Sequence, residues 1–250
     1  MPSDTPACPP DRYRVLLVAG QDAGAFLQGQ LTQDVAALAP GRVVHAALLT
    51  PQGRVVATPW VIARADGLAL LLPASLAPLV QERLNRYRLR ARVTLALGAP
   101  ERATLDQVGA ALAQAGGMAS DWTLALIAAG VAEVDATTTE EWIPQMLNLD
   151  LTGGVSFQKG CYTGQEIVAR TQHLGRIKRR MFRLRAATAP PAAKTAVTAA
   201  GVKVGEVVLA APTAHGCELL AVVNLDARAA ALTLALGQSC EWASLPYPVP

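Results

Sequence analysis

Residues 159–166 of the chain read Lys-Gly-Cys-Tyr-Thr-Gly-Gln-Glu, and the segments on both sides are organised around this motif. Upstream, residues 153–158 alternate apolar and polar side chains, which predicts a half-buried strand. Downstream, Thr163 and Glu166 have the spacing of a capping box, which predicts the start of a helix. Cys161 is therefore expected in a strand-to-helix turn, two positions before the helix N-cap.

This predicted position favours a reactive thiolate at Cys161. The positive end of a helix dipole and the ammonium group of Lys159 both stabilise a thiolate relative to a thiol. Gly160 and Gly164 lack a Cβ atom, so the backbone can turn tightly and a ligand can approach it closely. The alternative is a small buried cysteine packed in a turn, because free cysteine is among the most buried residue types. Both interpretations stay open, since no catalytic base is visible in the sequence.

The composition is typical of a globular, cytoplasmic protein. Apolar residues make up 52% of the chain, and the net charge of +3 does not by itself demand a nucleic acid partner. No secretory signal is expected at the start, and the most apolar window, residues 68–80, is too short and proline-broken to span a membrane. The four cysteines form no CxxC pair, which argues against a zinc ribbon and a disulfide framework. We assign no metal site.

The first part of the chain is predicted to have an α+β fold. Its apolar patterns and turns follow the order β-α-β-β-β-α-β up to residue 97, which predicts helices layered on a mostly antiparallel sheet. The Ala- and Gly-rich residues 98–120 predict one short helix, at 105–115, and residues 122–127 predict a strand.

The last part of the chain is predicted to be a small antiparallel β-barrel. Four alternating segments carry this prediction, namely residues 176–184, 202–209, 218–224 and 231–236. We therefore expect two domains, residues 1–174 and 175–250. Within the first, subdomains 1–97 and 120–174 would flank the middle segment.

Two runs rich in arginine have simpler explanations than nucleic acid binding. Residues 83–92 are explained by a solvated helix face. Residues 176–180 are explained by an exposed strand edge, where basic residues prevent edge-to-edge pairing. The sequence alone therefore gives direct RNA binding little support.

Residues 143–150 and 154–170 resemble the signature of the YgfZ family, whose K-G-C-[FY]-x-G-Q-E motif is long and specific. A weaker resemblance covers residues 20–35 and 49–55. Members of this family are folate-binding proteins related to the aminomethyltransferase (T-protein) of glycine cleavage. They support iron–sulfur enzymes, including tRNA-modifying ones. The resemblance implies an aminomethyltransferase-like N-terminal domain and the predicted C-terminal barrel.

The resemblance also implies roles for individual residues. Cys161 matches the family's functionally important cysteine, and Lys159 is its neighbour in the motif. Trp122 matches a tryptophan that flanks tetrahydrofolate or another folate, although plain core packing is the alternative. Tyr13 stands at the second flanking position, where its aromatic face can still stack on a pterin. The motif residues assigned to the same folate site are Gly160, Tyr162, Gly164, Gln165 and Glu166.

Two departures from the aminomethyltransferase pattern bear on function. Residues 55–57 read Val-Val-Ala where those enzymes carry acidic residues, so glycine cleavage activity is not expected. Residues 98–120 look shorter than their counterpart, so the folate cavity would be more open or completed by another subunit. The predicted function is a folate-binding accessory protein for iron–sulfur cluster enzymes, acting through a thiolate at Cys161. Whether it catalyses a reaction is left open. The alternative is a folate-dependent one-carbon transferase or demethylase, which needs a carboxylate from Asp34, Glu133 or Asp150.

Overall fold

The computed structural model describes residues 5–234 and 237–250 and has the predicted α+β fold. The strands of the first part are β1 (Tyr13–Ala19), β2 (Val43–His45), β3 (Leu48–Leu49), β4 (Val55–Ala57), β5 (Trp60–Arg64), β6 (Gly67–Pro73) and β7 (Thr94–Gly98). Five of them form an antiparallel sheet in the order β2-β5-β6-β1-β7, while β3 and β4 form a separate hairpin.

In residues 5–234 and 237–250, five α-helices pack around these strands. They are α1 (Ala23–Gln28), α2 (Ala77–Tyr87), α3 (Arg102–Gln114), α4 (Trp122–Ala129) and α5 (Gln165–His173). Short 3-10 helices cover Pro10–Arg12, Pro144–Leu147 and Leu225–Ala227. The helix predicted at residues 105–115 is confirmed as α3. No helix in the described part of the chain is long and apolar enough to cross a membrane.

The C-terminal antiparallel barrel is confirmed. Its strands are β8 (Arg179–Ala186), β9 (Ala196–Ala199), β10 (Val202–Thr213), β11 (Gly216–Asn224), β12 (Leu232–Leu234) and β13 (Ser239–Ala243). They close in the order β10-β11-β8-β13-β12-β9. Of the predicted strand 231–236, residues 235 and 236 lie outside the described residues. β8 pairs with β11 along its whole length but with β13 only over residues 183–186, so the strand-edge explanation of residues 176–180 stays a prediction.

The outer wall of the barrel packs against the first part of the chain. One continuous apolar core contains Leu27 and Leu72 from the first part together with Met181, Leu220 and Val222 from the barrel. Burying a leucine side chain stabilises the fold by roughly 2 kcal/mol, so this shared core ties the two parts together. The domain boundary between residues 174 and 175 stays a prediction.

Residues 122–127 form a helix, so the predicted strand is wrong. The carboxylate of Asp121 accepts a hydrogen bond from the Leu124 amide at 2.8 Å and caps the start of α4. Gly130 ends the helix with a left-handed φ of 64°. The run between these caps is apolar except for Thr123, and periodicity alone does not distinguish a buried helix from a buried strand in such a run.

Residues 153–158 form an irregular loop, so the strand predicted there is also wrong. The backbone amides of this segment bond to isolated carbonyls, such as Ser156 N–H to Thr32 O at 2.9 Å. The predicted capping box is wrong as well, because the N-cap of α5 is Gly164 with φ 82° and no side chain caps the helix. Cys161 therefore lies four residues before the first helical residue, Gln165.

Candidate functional site

The motif cysteine lies on a loop that is fastened to a distant segment of the chain. We call residues 156–164 the cysteine loop and residues 28–34 the glutamine loop. Two backbone hydrogen bonds join the loops, from Ser156 N–H to Thr32 O at 2.9 Å and from Thr163 N–H to Gly29 O at 3.2 Å. The motif and the N-terminal segment that also resembles the family therefore form one structural unit.

Lys159 makes the strongest connection between the two loops. Its ammonium group donates to three backbone carbonyls of the glutamine loop, those of Gln28 (2.7 Å), Leu31 (2.7 Å) and Gln33 (2.8 Å). The side chain is only 8% exposed, and this burial lowers its pKa to about 8. Lys159 thus holds the base of the cysteine loop in place. Its predicted effect on the Cys161 thiol stays a prediction.

Cys161 is exposed, whereas Cys8, Cys217 and Cys240 are buried. A Cβ atom built on the neighbouring Gly160 would meet no heavy atom within 4 Å, so the space beside the thiol is open. The thiol lies outside the first turn of α5, and the helix dipole acts mainly within that turn. Solvent exposure is therefore the property that best allows Cys161 to contact another molecule.

The second motif glycine serves packing within the protein. Gly164 adopts φ 82°, and a Cβ atom there would lie 2.5 Å from Thr50 O in the turn between β3 and β4. On the opposite side of this contact, a Cβ on Gly53 would lie 2.8 Å from the Ile167 Cβ. Both glycines are needed for α5 to pack on this turn.

The other motif residues assigned to the folate site are divided between interior and surface. Tyr162 is buried, and burial raises the pKa of its phenol to about 12. Gln165 is half-buried and Glu166 is exposed. These three residues follow Cys161 closely in the sequence, but their side chains lie in different environments. Their contact with a folate stays a prediction.

The fold brings Tyr13 and Trp122 together, and their rings contact each other directly. Their rings meet edge to face with centroids 6.0 Å apart, and they are 1% and 3% exposed. The Trp122 indole N–H donates to the Tyr13 hydroxyl at 2.6 Å, and that hydroxyl donates to the Glu133 carboxylate, which also pairs with Arg12. A pterin between the two rings would have to separate them, so their folate role stays a prediction.

A cavity of about 370 Å³ lies between β2, β5, α3 and the C-terminal tail. Its wall includes an aromatic pair, His45 and Trp60, with centroids 4.9 Å apart, and the phenol of Tyr247. His45 is buried, and its Nδ1 has no hydrogen-bond partner among the described residues. Burial lowers the pKa of His45 to about 4, so the ring is neutral at pH 7.

Gln33 connects this cavity to the cysteine loop. Its side chain lines the cavity and donates a hydrogen bond to the Gly153 carbonyl, while its own carbonyl accepts from Lys159. A ligand in the cavity would therefore touch a residue that is bonded directly to the base of the cysteine loop.

The fold matches that of a solved enzyme structure. The glycine cleavage system aminomethyltransferase T from Bartonella henselae aligns with a TM-score of 0.69 over 97% of this chain and 87% of that chain, at 16% sequence identity. No family model matches the chain. The low identity makes this a likeness of fold.

Relatives by sequence give the family. An uncharacterized protein from Haemophilus influenzae is 31% identical over 196 residues, which cover 68% of this chain and 70% of that protein. Proteins named tRNA-modifying protein YgfZ are 27% identical over 229 residues in Edwardsiella ictaluri and 29% identical over 236 residues in Vibrio vulnificus. These two alignments cover 70% and 75% of this chain, and 69% and 72% of those proteins. The chain belongs to the YgfZ family.

The carboxylates considered for acid–base chemistry in this YgfZ member are already engaged. Asp150 forms a buried, bidentate ion pair with Arg180 at 2.6 and 2.9 Å, and Glu133 pairs with Arg12 and Tyr13. Asp34 accepts from the Gln28 amide at 3.0 Å. The described residues that line the 370 Å³ cavity include no carboxylate. Nor do the described residues contain a cluster of three metal-ligating side chains.

Sequence reasoning missed His45 and Trp60 as a pair in this YgfZ fold. The two residues face each other because β2 pairs with β5 in the register His45 to Trp60. A usable signal was present, since both lie in apolar strand segments where a histidine is unusual. The sequence did not reveal which strands were neighbours.

Proposed function

We propose that this YgfZ family member is a cytoplasmic, folate-binding accessory protein that supports iron–sulfur cluster enzymes, including tRNA-modifying ones. In this proposal Cys161 acts as a thiolate on the client or ligates its metal, as a soft sulfur ligand does. One observation carries the proposal most directly. Cys161 is exposed on a loop whose base Lys159 fastens, through three hydrogen bonds, to the loop that contains Gln33.

The cavity beside Gln33 has the character that a folate requires. Its volume of about 370 Å³ falls in the usual range of small-molecule sites. The flat pterin would lie against the contacting His45–Trp60 pair without separating its rings, and the unpartnered His45 Nδ1 and the Gln33 and Gln114 amides would bond its polar edge. One-carbon units are carried on folate nitrogens when tetrahydrofolate is bound. Tyr13 and Trp122 are the alternative folate contacts.

Tetrahydrofolate binding tests the cavity assignment. Replacing His45 by Ala removes a ring and a buried polar group from the wall, so we expect roughly tenfold weaker binding by calorimetry. The matched control is His215→Ala, because His215 is exposed in the barrel and should leave affinity unchanged. If His45→Ala bound tetrahydrofolate as tightly as wild type and Trp122→Leu bound it more weakly, the folate site would be assigned to the Tyr13–Trp122 cluster instead.

Complementation tests the thiol independently of the folate. In a bacterial strain that lacks its own YgfZ, wild-type protein should restore the activity of an iron–sulfur tRNA-modifying enzyme, and Cys161→Ala should not. Cys217→Ala is the control, since Cys217 is buried in the barrel. Full rescue by Cys161→Ala would refute the thiolate role. Turnover of aminomethyl or N-methyl substrates with tetrahydrofolate would instead establish the one-carbon transferase alternative, which lacks a cavity carboxylate among the described residues.

A further inference from the structure

The segment that follows the motif helix carries a concentration of positive charge. No aspartate or glutamate occurs between Glu166 and Glu206 in the sequence. Residues 170–179 lead from the end of α5 to the start of β8, and we call them the basic link. Its exposed basic side chains are Arg170, Arg176, Lys178 and Arg179.

The other basic residues in this acid-free interval, from Arg180 to Lys203, form ion pairs with carboxylates outside it. Arg180 pairs with Asp150, and Arg183 and Arg185 share Glu218. Lys194 pairs with Glu141, and Lys203 with Glu206. In contrast, the ion pairs among described residues do not include the four basic residues of the link, and Arg179 contacts only the neutral amide of Asn224. The link is therefore a surface of unbalanced positive charge.

An aromatic surface adjoins the basic link. The Phe157 ring, on the cysteine loop, contacts the His173 ring with centroids 6.4 Å apart and planes at 72°. Phe157 is 38% exposed. Leu174, which follows His173 in the sequence, is 85% exposed. Protein surfaces that bind single-stranded nucleic acids combine exposed aromatic rings with basic side chains, because the bases stack on the rings while the cations neutralise the phosphates.

We propose that the basic link and Phe157 form a binding surface for single-stranded RNA, such as a loop of a folded RNA. Arg170, Arg176 and Lys178 would contact phosphates, and Phe157 with His173 would stack a base. The inference goes beyond the proposed function and does not rest on folate binding or on the chemistry of Cys161.

The arginine-rich residues 83–92 are the rival basic surface, and their charges are more nearly balanced. Arg83 pairs with Glu140, Arg86 with Glu82, and Arg92 with Asp22. Arg88 and Arg90 are exposed on the same stretch and provide a matched control, since reversing their charges changes the net charge by the same amount.

The experiment is fluorescence anisotropy with a labelled single-stranded RNA of about 12 nucleotides, a length suited to such a surface. The wild-type affinity should fall steeply as KCl rises from about 50 to 200 mM. The double variant Arg176→Glu/Lys178→Glu should bind about tenfold more weakly at low salt, with a salt slope smaller by roughly one per lost contact. Phe157→Ala should weaken binding about tenfold at an unchanged slope, because stacking carries no charge.

The control and competitor decide between this surface and others. Arg88→Glu/Arg90→Glu should bind RNA within about twofold of wild type, as expected for residues outside the surface. Equal loss in that variant, or no wild-type binding at low salt, would overturn the proposal. The proposal would also be overturned if polyglutamate at matched charge displaced the RNA and Phe157→Ala bound RNA as tightly as wild type. Those two results together would identify an acidic protein as the occupant instead.

Discussion

At the scale of single residues, Lys159 shows how a motif charge can serve architecture. Its ammonium group satisfies three carbonyls of residues that lie 126 to 131 positions away in sequence. Removal of one partner from buried, charge-assisted hydrogen bonds leaves polar groups unsatisfied and destabilises the fold. The exposed thiol of Cys161 depends on this hidden contact for a defined position.

The substitution Lys159→Met should release the cysteine loop. We expect the free energy of unfolding to fall by about 2 kcal/mol, because one buried and two partly buried carbonyls lose their donor. Urea unfolding measures this change, and hydrogen exchange should show faster exchange in residues 28–34 and 156–164. Lys178→Met, an exposed change of the same type, should leave both quantities at wild-type values. Unchanged exchange in Lys159→Met would contradict the role of Lys159 as an anchor.

His45 gives the stability a defined pH dependence. Its pKa is lowered from the ordinary value of 6.5 to about 4 because burial disfavours the charged ring. Between these two values the unfolded chain binds a proton at His45 and the folded chain does not. The free energy of unfolding therefore falls as the pH decreases from about 6.5 to 4.

This contribution is isolated by comparing wild type with His45→Gln in urea unfolding across the same pH range, since carboxylates also titrate there. The variant should lose less stability than wild type on acidification. His215→Gln, which changes an exposed histidine, should follow the wild-type curve. Parallel curves for wild type and His45→Gln would show that His45 is not buried in its neutral form.

At the scale of elements, the contact between α5 and the β3–β4 turn permits no side chain at two glycines. Gly164→Ala would place a Cβ 2.5 Å from Thr50 O at a left-handed φ of 82°. We expect a loss of about 2 kcal/mol in the free energy of unfolding, from backbone strain and the displaced turn. Gly160→Ala is the control because its Cβ meets open space. Equal stability of the two variants would refute the packing argument.

At the scale of the whole molecule, the Asp150–Arg180 pair joins the segment after the 3-10 helix Pro144–Leu147 to β8, the first strand of the barrel. Both side chains are nearly inaccessible, and Arg180 also donates to the Gln145 carbonyl at 2.9 Å. Arg180→Met leaves a buried carboxylate without its partner, so we expect a loss of about 3–5 kcal/mol in urea unfolding.

The double variant Asp150→Leu/Arg180→Met tests the cause of that loss. With both charges removed, much of the stability should return, because no ion is left buried and unpaired. Arg179→Met, at the exposed neighbouring position, should have little effect. A double variant as unstable as the single one would show that packing volume, rather than the unpaired charge, is responsible.

The sequence predicted most features that are local and periodic, although the alternation of residues 153–158 did not produce a strand, because that segment bonds to isolated carbonyls such as Thr32 O. The barrel strands and the α+β order of the first part follow from alternation and turns between neighbours. In α4, the capping residue Asp121 and the terminal Gly130 were the available signals, and the mostly apolar run between them outweighed both. Within the site, the motif revealed Cys161 and Lys159. The carbonyls bound by Lys159 and the His45–Trp60 pairing depend on strand order and long-range contacts, which no local pattern encodes.

Because Cys161 is exposed and the other three cysteines are buried, a thiol reagent can modify the native protein selectively at one position. A thiol-specific reagent should take one equivalent from the folded chain and four after denaturation. Any intermolecular disulfide formed by mild oxidation should then be a symmetric dimer linked through Cys161. A spectroscopic label can accordingly be attached at the motif itself without prior mutagenesis.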